Sequence, residues 1–113
     1  MDDNVDDSDI PYNIVLGTAT SVDANYSAFD AADVAVTNVD NDTAGVTVGT
    51  ISGDTDETGT TATFTVILDS QPTADVVIPV SSDTPAEGTP DVTDLTFTSG
   101  NWNVAQTVTV TGV

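Results

Sequence analysis

TATFTVIL, residues 61–68, is the stretch that decides the fold. Ala62, Phe64, Val66 and Leu68 fall on one side of an extended chain, and Thr61, Thr63 and Thr65 fall on the other. That is the alternation of a strand with one buried face. TVTVTGV, residues 107–113, repeats it, with Val108 and Val110 inward and Thr107, Thr109 and Thr111 outward. Working outward, shorter β-branched runs predict strands at Tyr12–Leu16, Val34–Val39, Val46–Ile51, Val76–Val80 and Leu95–Thr98. Turn clusters separate them: Ser52-Gly53-Asp54, Asp69-Ser70-Gln71-Pro72 and Ser99-Gly100-Asn101. No stretch holds a helical period. Seven short antiparallel strands with polar outer faces predict an all-β chain, an immunoglobulin-like antiparallel β-sandwich of Greek-key type. Trp102 is expected to plug one end of its core and Tyr12 to pack inside its strand. Tyr26 and Phe29, in SVDANYSAFDAAD, stay open between packing and a ligand platform.

The charge pattern is equally distinctive. The chain of 113 residues carries 19 acidic side chains and no Lys, Arg or His, a formal net charge of -19. Nearly all the acids are Asp, which can make a bend and aim a short carboxylate at the same time. They cluster: Asp2, Asp3, Asp6, Asp7 and Asp9 form one run, Asp40 and Asp42 flank Asn41, and Asp54, Asp56 and Glu57 form a third group. Like charges in blocks repel unless something neutralises them. With no cationic side chain, a metal ion is the expected counter-charge. Oxygen ligands without thiolate or imidazole suit calcium and argue against zinc or copper. The plainer alternative is a solvated acidic surface that keeps the protein soluble in salt.

Composition excludes several functions. Without His, Cys or Lys there is no Ser/His/Asp or Cys/His arrangement, no Schiff base and no cationic clamp for an oxyanion, so catalysis is not expected. A carboxylate pair for glycoside hydrolysis is formally possible, but the acids sit in turn-like runs. Nucleic acid and anionic membranes are poor partners for a chain that cannot neutralise a phosphate. No apolar run is long enough for membrane insertion, and no basic, apolar leader opens the sequence. Carboxylate-rich calcium sites suit an extracellular or cell-surface location, where calcium affinities of about 10⁻⁴ to 10⁻³ M suffice.

TATFTVILDSQPTADVVIPVSS, LTFTSGNWNVAQTVTVTGV, DDNVDDSDIPYNIVLG and DVAVTNVDND together resemble the tandem repeats of very large bacterial surface and adhesin-type proteins, which are related to Calx-beta domains. The resemblance covers nearly the whole chain. It implies a calcium-binding immunoglobulin-like sandwich with ligands from three places. In this sequence the matching residues are Glu57 in DTDETGTTATFTV, the run Asp2, Asp3, Asp6, Asp7 and Asp9, and Asp40 with Asp42 in VDND. Asn41 within that last run keeps an oxygen but drops a charge. EGTPDVTD adds Asp91.

The order of the pieces departs from the family. In such repeats the acid run follows TVTVTGV directly, whereas here it opens the chain and TVTVTGV closes it. Residues 1–43 then correspond to the C-terminal part of one repeat (its last two strands and acidic calcium loop), and 44–113 to the N-terminal part, its first five strands. Met1 is expected to be a start added at the cut. Restored to family order, seven alternating strands begin at one end of the sandwich and finish at the other. Residues 40 to 45 would have to run back along the body, and six extended residues reach only about 20 Å. The sandwich is therefore expected to be completed by strands of a neighbouring copy. Such a contact is heterologous and propagates head to tail into a filament unless its rotation closes a ring. The alternative is a soluble monomeric carbohydrate- or surface-binding module.

Overall fold

In a computed structural model that describes residues 2–113, the chain is all-β, with antiparallel sheets. No helix among the described residues is long and apolar enough to cross a membrane. The strands are β1 (Ile10–Ile14), β2 (Val34–Asn38), β3 (Val46–Val48), β4 (Thr61–Leu68), β5 (Val76–Pro79), β6 (Gly88–Pro90), β7 (Asp94–Phe97) and β8 (Gln106–Gly112).

The chain divides into two compact units. One holds the residues up to Asp6 together with Asp42–Val113, and the other spans Asp7–Asn41. The larger unit contains a four-stranded sheet in the order β3-β4-β8-β6 and a two-stranded sheet of β5 and β7. Its centre is β4 against β8, from Thr61↔Thr111 to Val66↔Gln106. The alternation of residues 61–68 is realised as expected: Ala62, Val66 and Leu68 are buried and Phe64 is half-buried. Val66 and Leu68 meet Val108 of β8 and Leu95 and Phe97 of β7 in one core, with Phe64, Val76, Ile78, Val80, Val92 and Trp102 packed around it. Trp102 is partly buried against this core, and its carbonyl accepts the Leu68 N–H.

The smaller unit is a hairpin. β1 pairs with β2 from Ile10↔Asn38 to Ile14↔Val34. This register gathers Ile10, Tyr12, Ile14, Val34 and Val36 on one face, because directly paired residues point the same way. The long connection from Gly17 to Asp33 is held by Ala19 N–H to the Phe29 carbonyl, Ala28 N–H to the Ala19 carbonyl, and a turn over Asp23–Ser27.

Among the described residues there are eight strands where the sequence suggested seven. The additional strand is β6, three residues pairing as Gly88↔Gly112 to Pro90↔Val110. Its Gly-Thr-Pro composition reads as a turn, and a proline is tolerated there because β6 is a sheet edge. The strand expected at Val46–Ile51 ends at Val48. Beyond it the chain still follows β4, with Gly49 N–H to Thr65 O and Ser52 N–H to Thr63 O, but off the regular ladder. Gly49 is tightly placed: a Cβ there would meet Thr65 Oγ1 at 2.5 Å. Tyr12, expected to pack inside its strand, instead lies on β1 with 47 % of its surface exposed.

Candidate functional site: acidic ends and open apolar faces

The acid groups fall into distinct places. In the hairpin unit the pairing of β1 with β2 brings Asp7 and Asp9 to Asp40. Asp40 Oδ2 accepts the N–H groups of Asp7 and Ser8, each at 2.8 Å, and the Asp40 N–H donates to Asp9 Oδ1 at 2.9 Å. Ser8 adopts the left-handed region, with φ 70°, which turns two successive amides toward one carboxylate oxygen. The open end of the hairpin is thus an acidic knot; Asn41 follows it and is exposed.

In the larger unit, Asp6 Oδ2 accepts the Ala44 N–H at 2.8 Å, just before β3. Asp3 Oδ1 accepts the Val5 N–H, and the Asn4 carbonyl accepts the Gln71 N–H. Asp2 is exposed and Asp42 half-buried. All of these belong to the end of the sheet where Val46 pairs with Leu68. Glu57 belongs to the other end. It sits in the Asp56–Gly59 turn ahead of Thr61, and Gly112 of β8 packs directly on the backbone of Asp56. Between the two ends lie the eight residues of β4, roughly 25 Å at strand rise. Asp91 is at neither: its N–H donates to Thr109 O and its Oδ1 accepts the Thr109 N–H, so it prolongs the pairing of β6 with β8.

Asp56, passed over in favour of its neighbour Glu57, has the clearest local role. Its Oδ1 accepts the Thr58 N–H and hydroxyl and the Thr60 N–H. Thr58 hydroxyl bonding first, then that of Thr60, then the two amides, lower its pKa from 3.8 to about 2. The signal was present in the sequence as Asp-x-Thr, the spacing of a local side-chain turn.

The donors match a hard cation in kind, being carboxylate and carbonyl oxygens. Among the described residues no three acidic side chains are grouped so as to hold a metal ion.

The second feature is apolar. Val46 and Val48 pair with Leu68 and Val66 and so share the core-facing side of their sheet, yet both are exposed. Beside them a groove of about 610 Å³ runs between the sheets, lined by Val5, Val46, Leu68, Pro72, Ala74 and Val76. On the hairpin, Ile10, Tyr12, Ile14 and Val34 are exposed on their shared face. An isolated two-stranded hairpin is marginal in water without cover for such a face.

No protein family, characterised protein or solved structure matches this chain.

Proposed function

We propose that this chain is a non-catalytic, calcium-binding structural repeat of an extracellular adhesin-type surface protein. It builds stiff stalks or head-to-tail filaments in which strands of one copy complete the sandwich of the next. The observation that carries this reading is the division of one chain into an amphipathic hairpin and a sandwich whose inner face is partly open. Each is the kind of part the other lacks. Burying an apolar side chain is worth about 1.5 to 3 kcal/mol, so covering several at once offsets a substantial ordering cost.

Calcium belongs to the same reading. Two like charges 4 Å apart cost on the order of 1 to 4 kcal/mol, depending on the local dielectric. Joining copies end to end stacks acids on acids with no cationic side chain to relieve them. Glu57 at one end of the sandwich and the Asp7, Asp9 and Asp40 knot of another copy are the halves of a calcium site that closes at the joint. Electron microscopy of the full chain in millimolar calcium tests this: filaments that disperse on chelation are expected, and uniform single particles in both conditions would contradict it.

A monomeric carbohydrate- or surface-binding module is the second reading. Its support is the exposure of Tyr26 and Phe29 on the long hairpin connection. Glycan binding that is lost in Tyr26→Ala would favour it.

A further inference from the structure

We propose that Asn25 is an acceptor for N-linked glycosylation and carries an oligosaccharide delivered from a lipid diphosphate donor. This adds a modification to the reading above and shares with it only the extracellular location.

Two stretches of the chain have the acceptor pattern, an asparagine followed two places on by a hydroxyl: Asn25-Tyr26-Ser27 and Asn41-Asp42-Thr43. Threonine is frequent in this sequence, so the pattern alone selects neither. Both asparagines are exposed. The fold separates them by how each segment is held.

Asn25 sits in a turn within the long connection from Gly17 to Asp33, and the bonds that shape this turn are local. The Asn25 N–H donates to Asp23 Oδ1 at 2.9 Å, and the Asp23 carbonyl accepts the N–H groups of Tyr26 at 3.1 Å and Ser27 at 2.9 Å. Below them the loop is closed by Ala19 N–H to the Phe29 carbonyl and Ala28 N–H to the Ala19 carbonyl. Ala28 holds φ 62°, an uncommon conformation for a residue with a Cβ, where the tip turns back into that closure. Residues 20–27 can therefore leave the turn without disturbing the β1–β2 ladder, whose last rung is Ile14↔Val34. Local openings of this kind cost far less than global unfolding. They are what a transferase needs in order to draw the acceptor into its own groove.

Asn41 is held by distant partners. Asp40 beside it accepts the Asp7 and Ser8 amides and donates to Asp9, and the Ala44 N–H donates to Asp6, all across more than thirty residues of sequence. Drawing out residues 40–44 breaks the acidic knot itself. Charge acts in the same direction. Asp42 stands between Asn41 and Thr43, where an anionic diphosphate must approach, whereas Tyr26 is uncharged.

The transfer is a substitution at the anomeric carbon of the donor sugar. Asn25 Nδ2 bonds to that carbon, the bond from the carbon to the lipid diphosphate oxygen breaks with its electron pair leaving on the diphosphate, and the nitrogen gives up one proton. The Ser27 hydroxyl is the recognition element. A bulky, hydrated glycan rooted here screens the loop on which Val22, Tyr26 and Phe29 are exposed.

The folded full chain is tested with a purified single-subunit oligosaccharyltransferase and a lipid diphosphate-linked oligosaccharide, read by intact mass and glycopeptide mapping. One glycan at Asn25 is expected. Asn25→Gln and Ser27→Ala should each lose it, Ser27→Thr should keep it, and Asn41→Gln should leave it unchanged. The Ser27 bond in the turn is made by its backbone N–H, so Ser27→Ala preserves the loop. A folded chain that stays unmodified, or that takes the glycan at Asn41 as readily as at Asn25, would overturn the assignment. Head-to-tail assembly is untouched by either result.

Discussion

Val46 lies directly across from Leu68 on the same face of the same sheet, yet Leu68 is 7 % exposed and Val46 48 %. The difference is what lies over them. Leu68 packs with Leu95 and Phe97 of the small sheet in the core, and Val46 is outside that cluster. The edge of the core therefore runs between two adjacent strands.

Core substitutions should separate from edge substitutions accordingly. Phe97 is fully buried, so Phe97→Ala should cost about 3 to 5 kcal/mol in denaturant unfolding of the monomer. Val48→Ala should cost less than about 1 kcal/mol there, since its side chain is already largely in water. The same Val48→Ala should weaken assembly.

Gly112 holds the turn that carries Glu57. A Cβ at this position would collide with the Asp56 carbonyl oxygen, and the Gly112 N–H donates to Thr60 O. Gly112→Ala should lower stability by about 1 to 3 kcal/mol, as overpacking against backbone does. Gly53→Ala, where a Cβ meets only open space, should be near neutral by the same thermal melt.

The same turn has a pH signature. The Asp56 pKa is depressed from 3.8 to about 2 by its hydroxyl and amide partners, so the folded state favours the carboxylate. Its stabilising contribution is complete above pH 3.8 and is lost as pH falls through about 2. Asp56→Asn should remove the dependence that this group adds between those limits. Carbon-detected titration of the Asp56 carboxyl reads it directly, and a midpoint at the ordinary value would contradict the hydrogen-bonded turn.

Much of the fold could be read from periodicity. Residues 61–68 and 107–113 alternate so regularly that strand limits and inward faces follow from them, and the observed strands differ there by a residue at most. β6 was hidden because Gly88, Thr89 and Pro90 have turn composition and become a strand only through the end of β8. The uncovered state of Tyr12 was hidden for a related reason, since alternation reports which side a residue faces and not whether anything lies over it. Acid clustering pointed to the Asp2–Asp9 run and to Asp40, but not to the contacts between them. Those depend on the pairing of β1 with β2, across more than thirty residues of sequence. Glu57 and Asp91 were grouped with these acids by resemblance; within the larger unit Glu57 lies at the other end of the sheet from Asp6, and Asp91 bonds to Thr109.

Calcium should raise the melting temperature at constant ionic strength, with a dependence on the logarithm of its concentration. Asp9→Ala and Glu57→Ala should weaken binding strongly and Asp75→Ala hardly at all, measured by calorimetric titration. Equal losses at all three positions would mean diffuse screening of charge in place of coordination.

Strand completion by a neighbouring copy is tested most directly by the mass of the full chain in solution, read by light scattering at high protein concentration with millimolar calcium and again with chelator, alongside hydrogen exchange of β1. The account predicts assemblies much larger than a monomer in calcium, their dissolution by chelator, and protection of the β1 amides only in the assembled state. A monodisperse monomer in calcium whose β1 amides are already protected would contradict it, showing that the chain closes on itself.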